Sequence, residues 1–172
     1  MSINKLLNRF KIVLSGDPAV GKSSILSRLC TNTFSEKYNP TIGSDFMTCF
    51  MQYQETTVTA NIWDFSGHPE YMEMRKTFYK HTNALVIIFD VTNLKSYTQL
   101  DLWLTEGRKL AGNEVPVWIV GNKIDNTEKR VISKATANSW AISKKCFGYF
   151  EVSAATDEGM VALFSDITIK LT

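Results

Sequence analysis

Long apolar runs are missing from this 172-residue chain, and so is a marked excess of charge of either sign. No apolar stretch reaches the roughly 20 residues that a membrane-spanning helix needs. Lys and Arg total 19 against 17 Asp and Glu, a net charge of +2, too small to argue for nucleic acid or an acidic membrane surface as partner. Cysteine is scarce. Cys30, Cys49 and Cys146 are scattered, odd in number and without metal-ligand spacing, so three free thiols, buried or partly buried in a reducing compartment, are expected. Met1-Ser2-Ile3-Asn4 is neither a signal peptide nor a myristoylation site, which needs Gly second. Ile169-Lys170-Leu171-Thr172 offers no cysteine for prenylation. Repeats, low-complexity tracts and linkers are also missing, which points to one domain over residues 1–172. The expectation is a cytoplasmic monomer with no intrinsic membrane anchor and no nucleic-acid partner.

What is present is an ordinary globular composition, 44% apolar and 21% charged, in a chain long enough for one real core. Lys11 to Leu14, Ala84 to Phe89 and Val117 to Val120 are continuous apolar runs, with a shorter one at Tyr149 to Val152. Such runs suit a parallel sheet covered on both faces. Phe46 to Tyr53 and Val58 to Trp63 alternate instead, as half-exposed strands do, and are expected to pair antiparallel. Leu100, Trp103, Leu104 and Leu110 share one helical face, as do Met160, Leu163, Phe164, Ile167 and Leu171. Ser23 to Leu29, Glu70 to Lys80 and Lys134 to Lys145 are further helix candidates. This order predicts an α/β layered sheet, with ligands at the carboxyl ends of its strands.

After the first strand comes Gly16-Asp17-Pro18-Ala19-Val20-Gly21-Lys22-Ser23. This is G-x-x-x-x-G-K-S between a strand and a helix, the context that gives the motif meaning. Glycines let the backbone N–H groups converge on phosphate oxygens, and the helix N-terminus adds the positive end of its dipole. Asp17, Pro18, Ala19, Val20, Gly21, Lys22, Ser23 and Ser24 are therefore candidate phosphate contacts. Lys22 reaches the outer phosphates in such a loop, and Ser23 is a Mg²⁺ ligand. A glycine-rich turn without a ligand is the bland alternative.

Gly121-Asn122-Lys123-Ile124-Asp125 follows the run ending at Val120. A carboxylate at Asp125 can accept from the ring N–H and the exocyclic amine of guanine. Adenine offers neither donor there, so the carboxylate would stay unpaired at a cost of about 1–3 kcal/mol. Lys123 has an apolar stem that can lie along the base. A solvated loop with Asp125 as helix cap is the alternative. Further on, Ser153, Ala154 and Ala155 follow the last strand, where the Ala154 N–H is placed to meet the guanine carbonyl.

With these residues placed, the chain resembles the Ras-superfamily small GTPases along essentially its whole length, most closely the Rab branch. The resemblance implies a six-stranded, five-helix G domain that binds GTP or GDP with Mg²⁺. Tyr38-Asn39-Pro40-Thr41-Ile42-Gly43 is similar to the first switch segment, with Thr41 completing the Mg²⁺ shell and Phe34 packing against the base. Trp63-Asp64-Phe65-Ser66-Gly67 matches D-x-x-G; there Asp64 holds Mg²⁺ through water and the Gly67 N–H senses the γ-phosphate. Phe46, Trp63 and Phe78 align with the Rab aromatic triad, although partly buried core aromatics are an open alternative. Effectors and exchange factors are implied to bind through Thr41 to Phe46 and Trp63 to Phe78. Gly67-His68-Pro69-Glu70-Tyr71 with Phe78-Tyr79-Lys80 resembles the narrower RJL group of Rab-like GTPases. Some members of that group carry a C-terminal J domain, for which 172 residues leave no room.

Three positions depart from the pattern. His68 stands where most members have the glutamine that orients the attacking water. An imidazole differs in reach and geometry, and losing a well-placed polar group in such a site costs about 10²–10³ in rate. Slow GTP hydrolysis, with His68 beside Lys22, Thr41 and Gly67 in the catalytic set, is expected; a plain surface histidine is the alternative. Pro18 deletes one N–H donor and fills space where an activating arginine would approach; a harmless Rab-like side chain at a tolerant position is the alternative. Ala155 replaces a common lysine at a largely backbone contact. His81 lies near a helix end, where the dipole is reason enough for it. The chain is thus expected to be a slow GTP/GDP switch or a GTP-loaded scaffold that barely hydrolyses. An ATPase or nucleotide kinase fits the phosphate loop but not Asn122-Lys123-Ile124-Asp125.

Overall fold

Ile12, Val13 and Leu14 expose no surface, because the alternating side chains of a central parallel strand meet helices on both faces. They lie on β1 (Arg9–Ser15) in a computed structural model that describes residues 9–172; the expectations for Met1–Asn4 fall outside the described residues. Strand β1 pairs in parallel with β3 (Thr56–Phe65) on one side and β4 (Ala84–Asp90) on the other. Beyond β4 come β5 (Val117–Asn122) and β6 (Gly148–Glu151), also parallel. At the opposite edge β2 (Ser44–Tyr53) runs antiparallel to β3, with Phe46 opposite Trp63. The order is β2-β3-β1-β4-β5-β6, the expected six-stranded, mostly parallel sheet.

Helices α1 (Lys22–Thr31) and α6 (Met160–Leu171) cover one face. Their Ile25, Leu26, Leu163, Phe164 and Ile167 pack with Ile12, Leu14, Val86, Ile88 and Trp118. On the other face α4 (Leu100–Ala111) and α5 (Lys134–Ser143) place Leu100, Leu104, Ala137 and Ala141 with Val13, Leu85, Ile87, Phe89 and Ile119. Odd and even strand residues thus build separate half-cores.

The structure corrects four expectations. The described residues hold six helices rather than five, because the segment after β4 forms α3 (Leu94–Thr98) before α4 begins. Asn93 starts α3 by accepting from the Ser96 N–H, a side-chain N-cap. The Glu70 to Lys80 candidate is shorter. A 3₁₀ turn at Pro69–Tyr71 precedes α2 (Met72–Phe78), and His81 then turns the chain with φ 59°. Residues of β6 are half-buried rather than covered, because β6 is an edge strand. Finally, Cys30 and Cys49 are not free. The end of α1 packs on β2 and brings their Cα atoms to 5.3 Å, joined as a disulfide, within the range such a bridge spans. Cys146 remains a free, half-buried thiol. Among the described residues no helix is long and apolar enough to cross a membrane.

Candidate functional site

The loops after β1, β3, β5 and β6 meet at the carboxyl ends of the strands, where open parallel sheets bind ligands. Together with the segment between α1 and β2 they enclose a cavity of about 610 Å³, lined by residues that include Lys22, Phe34, Thr41, His68 and Asp125.

The loop after β1 winds through positive φ at Gly16 (141°), Ala19 (62°) and Gly21 (99°). Glycine is required at two of these turns. A Cβ on Gly16 would overlap the Ile88 carbonyl, and one on Gly21 would overlap the Asn122 side chain. Helix α1 begins at Lys22, so its first-turn N–H groups have no intrahelical partner. Lys22 is buried, and its Nζ donates to the carbonyls of Gly16 at 3.0 Å and Asp17 at 2.8 Å. That folds the ammonium over the mouth of the loop. Burial lowers its pKa to about 8, against the opposing charges of Asp64 and Asp17.

Three oxygen side chains from three segments meet beside it. Ser23 Oγ donates to Asp64 Oδ2 and lies 2.9 Å from Thr41 Oγ1, which is 3.3 Å from the same carboxylate oxygen. Asp64 is 1% exposed, and its Oδ1 is buried without a hydrogen-bond partner among the described residues. Burial raises its pKa, opposed by Lys22 and by the hydroxyls of Ser23 and Thr41. One orphaned carboxylate oxygen beside two hydroxyls is a hard-donor set that fits Mg²⁺.

At the other end of the cavity, Asn122 is 2% exposed. Its Nδ2 donates to the Val20 carbonyl at 2.9 Å, and its Oδ1 accepts from the Ala154 N–H at 3.3 Å. The amide assigned to the guanine carbonyl therefore faces Asn122 in this structure. Lys123 stretches across the loop to the Ala19 carbonyl at 2.7 Å and pairs with Asp90 at 2.8 Å. Ser153 Oγ donates to Asp125 Oδ1 at 2.7 Å, fixing the carboxylate expected to read the base.

The structure brings Pro18, Ala19, Gly21, Lys22, Ser23, Ser24, Phe34, Thr41, Gly67, His68, Asn122, Lys123, Asp125, Ala154 and Ala155 to one cavity wall. The side chains of three further candidates lie outside that wall. The Asp17 carboxylate turns away to accept from Trp103 Nε1 at 2.7 Å. The Val20 side chain is buried in the core. Ser153 acts on Asp125 rather than lining the wall. Gly67 is buried against the phosphate loop, where a Cβ would overlap the backbone of Gly16, Asp17 and Pro18. His68 Nε2 is buried and has no partner among the described residues. Phe46, Trp63 and Phe78 form one stack with centroids 5.0 Å apart at each step. Phe46 is 54% exposed, so the stack lies at the surface.

Arg28 was not foreseen. Its Nε and Nη2 donate to the carbonyls of Ala154 and Ala155 at 2.8 and 2.9 Å, holding the last loop from α1. Its only sequence signal is a cation in the last turn of a helix; nothing in the sequence points to a loop 126 residues away.

Sheet order, phosphate cradle and base-reading loop place the molecule among the P-loop nucleotide-binding domains. The chain belongs to the Ras family, whose pattern matches residues 11–172. It is 35% identical over 174 residues to DnaJ homolog subfamily C member 27 of Danio rerio, covering 98% of this chain and 63% of that protein. The human protein of that name is 35% identical over 168 residues, covering 95% and 61%. GTP-binding protein YPTC5 of Chlamydomonas reinhardtii is 35% identical over 164 residues, covering 92% and 80%. The DnaJ homologs thus contain sequence that this chain does not match. Ras-family proteins bind GTP and GDP, typically with Mg²⁺, and are generally GTP hydrolases.

Proposed function

We propose that this chain is a single G domain acting as a Mg²⁺-dependent GTP/GDP switch with slow intrinsic hydrolysis, of the Rab-like branch and closest in its motifs to the RJL group. The observation that carries it is the Asn122 side chain, which ties the base-reading loop to the phosphate loop and to the Ala154 amide. The tie sets one nucleoside-to-phosphate spacing. The similarity to GTP-binding protein YPTC5 supports the Rab-like assignment.

Each residue then has a task. Asp125, fixed by Ser153, accepts from the guanine N–H groups. Lys123 lies along the base. Lys22 exchanges its two carbonyl partners for outer phosphate oxygens. Ser23, Thr41 and, through water, Asp64 would hold Mg²⁺, which would neutralise charge developing on those oxygens. The Gly67 N–H faces the γ-phosphate, and His68 takes the water-orienting position with Nε2 free of protein partners. Pro18 withholds one backbone donor and narrows the approach of an activating arginine. Ordering of the segments around Thr41 and Gly67 by the γ-phosphate presents the Phe46–Trp63–Phe78 stack to effectors. His68 and Pro18 also favour a second reading, a GTP-loaded scaffold that scarcely turns over.

Competition against a fluescent guanine nucleotide, with and without a Mg²⁺ chelator, followed by single-turnover hydrolysis, tests this. GTP and GDP should displace the probe and ATP should not, with hydrolysis below the roughly 4 × 10⁻⁴ s⁻¹ of intrinsic Ras turnover. Equal displacement by ATP would overturn the guanine assignment, and a rate at or above that figure would overturn slow hydrolysis.

A further inference from the structure

Between α2 and α4 lies a network that nucleotide binding alone does not explain. Arg75 on α2 is 5% exposed although it carries a full charge. Its Nε and Nη2 donate to the two oxygens of Glu106 on α4 at 2.8 and 3.0 Å. Its Nη1 donates to the His68 carbonyl at 3.1 Å and reaches the Ser66 carbonyl at 3.5 Å. The guanidinium lies 4.7 Å over the Trp103 ring. Tyr79 supports the pair by donating to Glu106 Oε1 at 3.0 Å, and Trp103 Nε1 continues the chain to Asp17 in the phosphate loop.

Stability is a poor reason for such a group. A buried ion pair is often matched or bettered by apolar residues of the same volume. What an apolar residue cannot supply is two donors aimed at the carbonyls that flank Gly67. The Ser66 carbonyl and the Gly67 N–H belong to one planar trans peptide and point in opposite directions. Holding that carbonyl toward Arg75 therefore fixes the opposite direction of the Gly67 N–H, in a segment that packs against the phosphate loop. The His68 carbonyl also accepts from the Tyr71 N–H at 3.1 Å, so Arg75 adds a second donor to a carbonyl that the turn already holds. Lysine could not replace the fork: it lacks the planar geometry that binds a carboxylate with two donors while a third nitrogen serves the carbonyls.

We infer that Arg75, braced by Glu106 and Trp103, is a positioning residue for γ-phosphate sensing and hydrolysis, fixing the Gly67–His68 segment and linking it through Asp17 to the phosphate loop. The inference rests on the GTP-switch reading above. It separates two properties that a structural role would move together. Affinity for GDP, which lacks the γ-phosphate, is independent of Arg75, whereas preference for the triphosphate depends on it.

The test uses Arg75→Ala, Arg75→Lys, Glu106→Gln and Trp103→Phe in the full chain. Affinities for GDP and for the slowly hydrolysed analogue GTPγS are measured by competition, with single-turnover GTP hydrolysis and the melting temperature of the GDP form. Arg75→Ala and Arg75→Lys should lower the GTPγS-to-GDP affinity ratio and the hydrolysis rate by about tenfold each, the loss of one or two charge-assisted hydrogen bonds. Affinity for GDP should stay within about twofold. Millimolar guanidinium should restore part of the ratio in Arg75→Ala and none in Arg75→Lys. Trp103→Phe keeps the stacked ring and loses the Asp17 bond, so it should fall between the native chain and Arg75→Ala. An unchanged ratio in Arg75→Lys and Glu106→Gln, whatever the melting temperature, overturns the inference, and these two variants decide it where Arg75→Ala does not fold. A native chain that binds no guanine nucleotide fails at the GTP-switch reading itself, which is a distinct result.

Discussion

Asn122 and Val20, 102 residues apart, are joined by one side-chain hydrogen bond of 2.9 Å. The donor sits at the end of β5, where the proposed reading places the base, and the acceptor lies inside the phosphate loop. Gly21 must be glycine partly because the Asn122 amide occupies the place of its Cβ. The two ends of the nucleotide site are thus one piece of structure, which has a direct kinetic consequence.

Replacing Asn122 with alanine leaves the Val20 carbonyl and the Ala154 N–H without this partner, at a cost of about 1–3 kcal/mol for a buried unpaired group. Release of bound GDP should quicken by about tenfold or more. Fluorescent GDP dissociation by stopped flow checks it, and an unchanged release rate would show that the tie does not set the spacing of the site.

On the proposed reading, hydrolysis turns on His68. Its main chain is held through Arg75, and its Nε2 makes no bond among the described residues, so a water-orienting group must act from the imidazole alone. His68→Gln should raise single-turnover hydrolysis by about 10² if a well-placed amide restores the missing contact. If glutamine leaves the rate where it is, or lowers it, His68 is not the limiting position and Pro18 becomes the residue to examine.

Acid should weaken the Arg130–Glu151 ion pair at the end of β6. Glu151 closes β6, two residues before Ser153. Burial pushes its carboxyl pKa up, but hydrogen bonds from Arg130 and Tyr149, with the Arg130 charge, outweigh that and hold it below the ordinary 4.5. Arg130 Nη1 donates to Oε2 at 3.0 Å and the Tyr149 hydroxyl to Oε1 at 2.8 Å. A depressed carboxylate stabilises the fold above its unfolded pKa, and that contribution is lost as pH falls through the folded value. Glu151→Gln should therefore be less stable than the native chain at pH 7, and the difference should shrink below about pH 4.5. Urea melts across that range check it. A gap that persists unchanged in acid would mean that the pair contributes packing and not charge.

Much of this was legible before any coordinates. β1, β4 and β5 announce themselves as apolar runs because both of their faces are buried, and the alternation of β2 and β3 gave away a half-exposed pair. The phosphate loop and the Asn122–Asp125 loop carry chemistry in local spacing. What stayed hidden depends on contacts between distant segments. Arg28 reaching Ala154, Trp103 reaching Asp17, and Arg75 reaching Glu106 each join elements whose approach only the packed sheet defines. The break that separates α3 from α4 was hidden for another reason: an apolar periodicity passes through it without a proline or glycine to mark it.

Cys30 and Cys49 belong to that hidden class, and their pairing makes the last prediction. The bridge, with a sequence separation of 19, closes a loop that holds Phe34 and Thr41, two residues of the cavity wall. A cross-link stabilises chiefly by restricting the unfolded chain, about 3 kcal/mol for a loop near this length. Reduction, or Cys30→Ser, should lower unfolding stability by about that amount and leave the segment around Thr41 with one restraint fewer, so GDP release should also quicken. Thiol titration under denaturing conditions decides whether the premise holds. Unreduced chain should yield the single thiol of Cys146, whose pKa burial raises, and reduced chain all three. Three thiols without reductant would show that the pair is open in solution, and reductant should then change neither the urea midpoint nor nucleotide release.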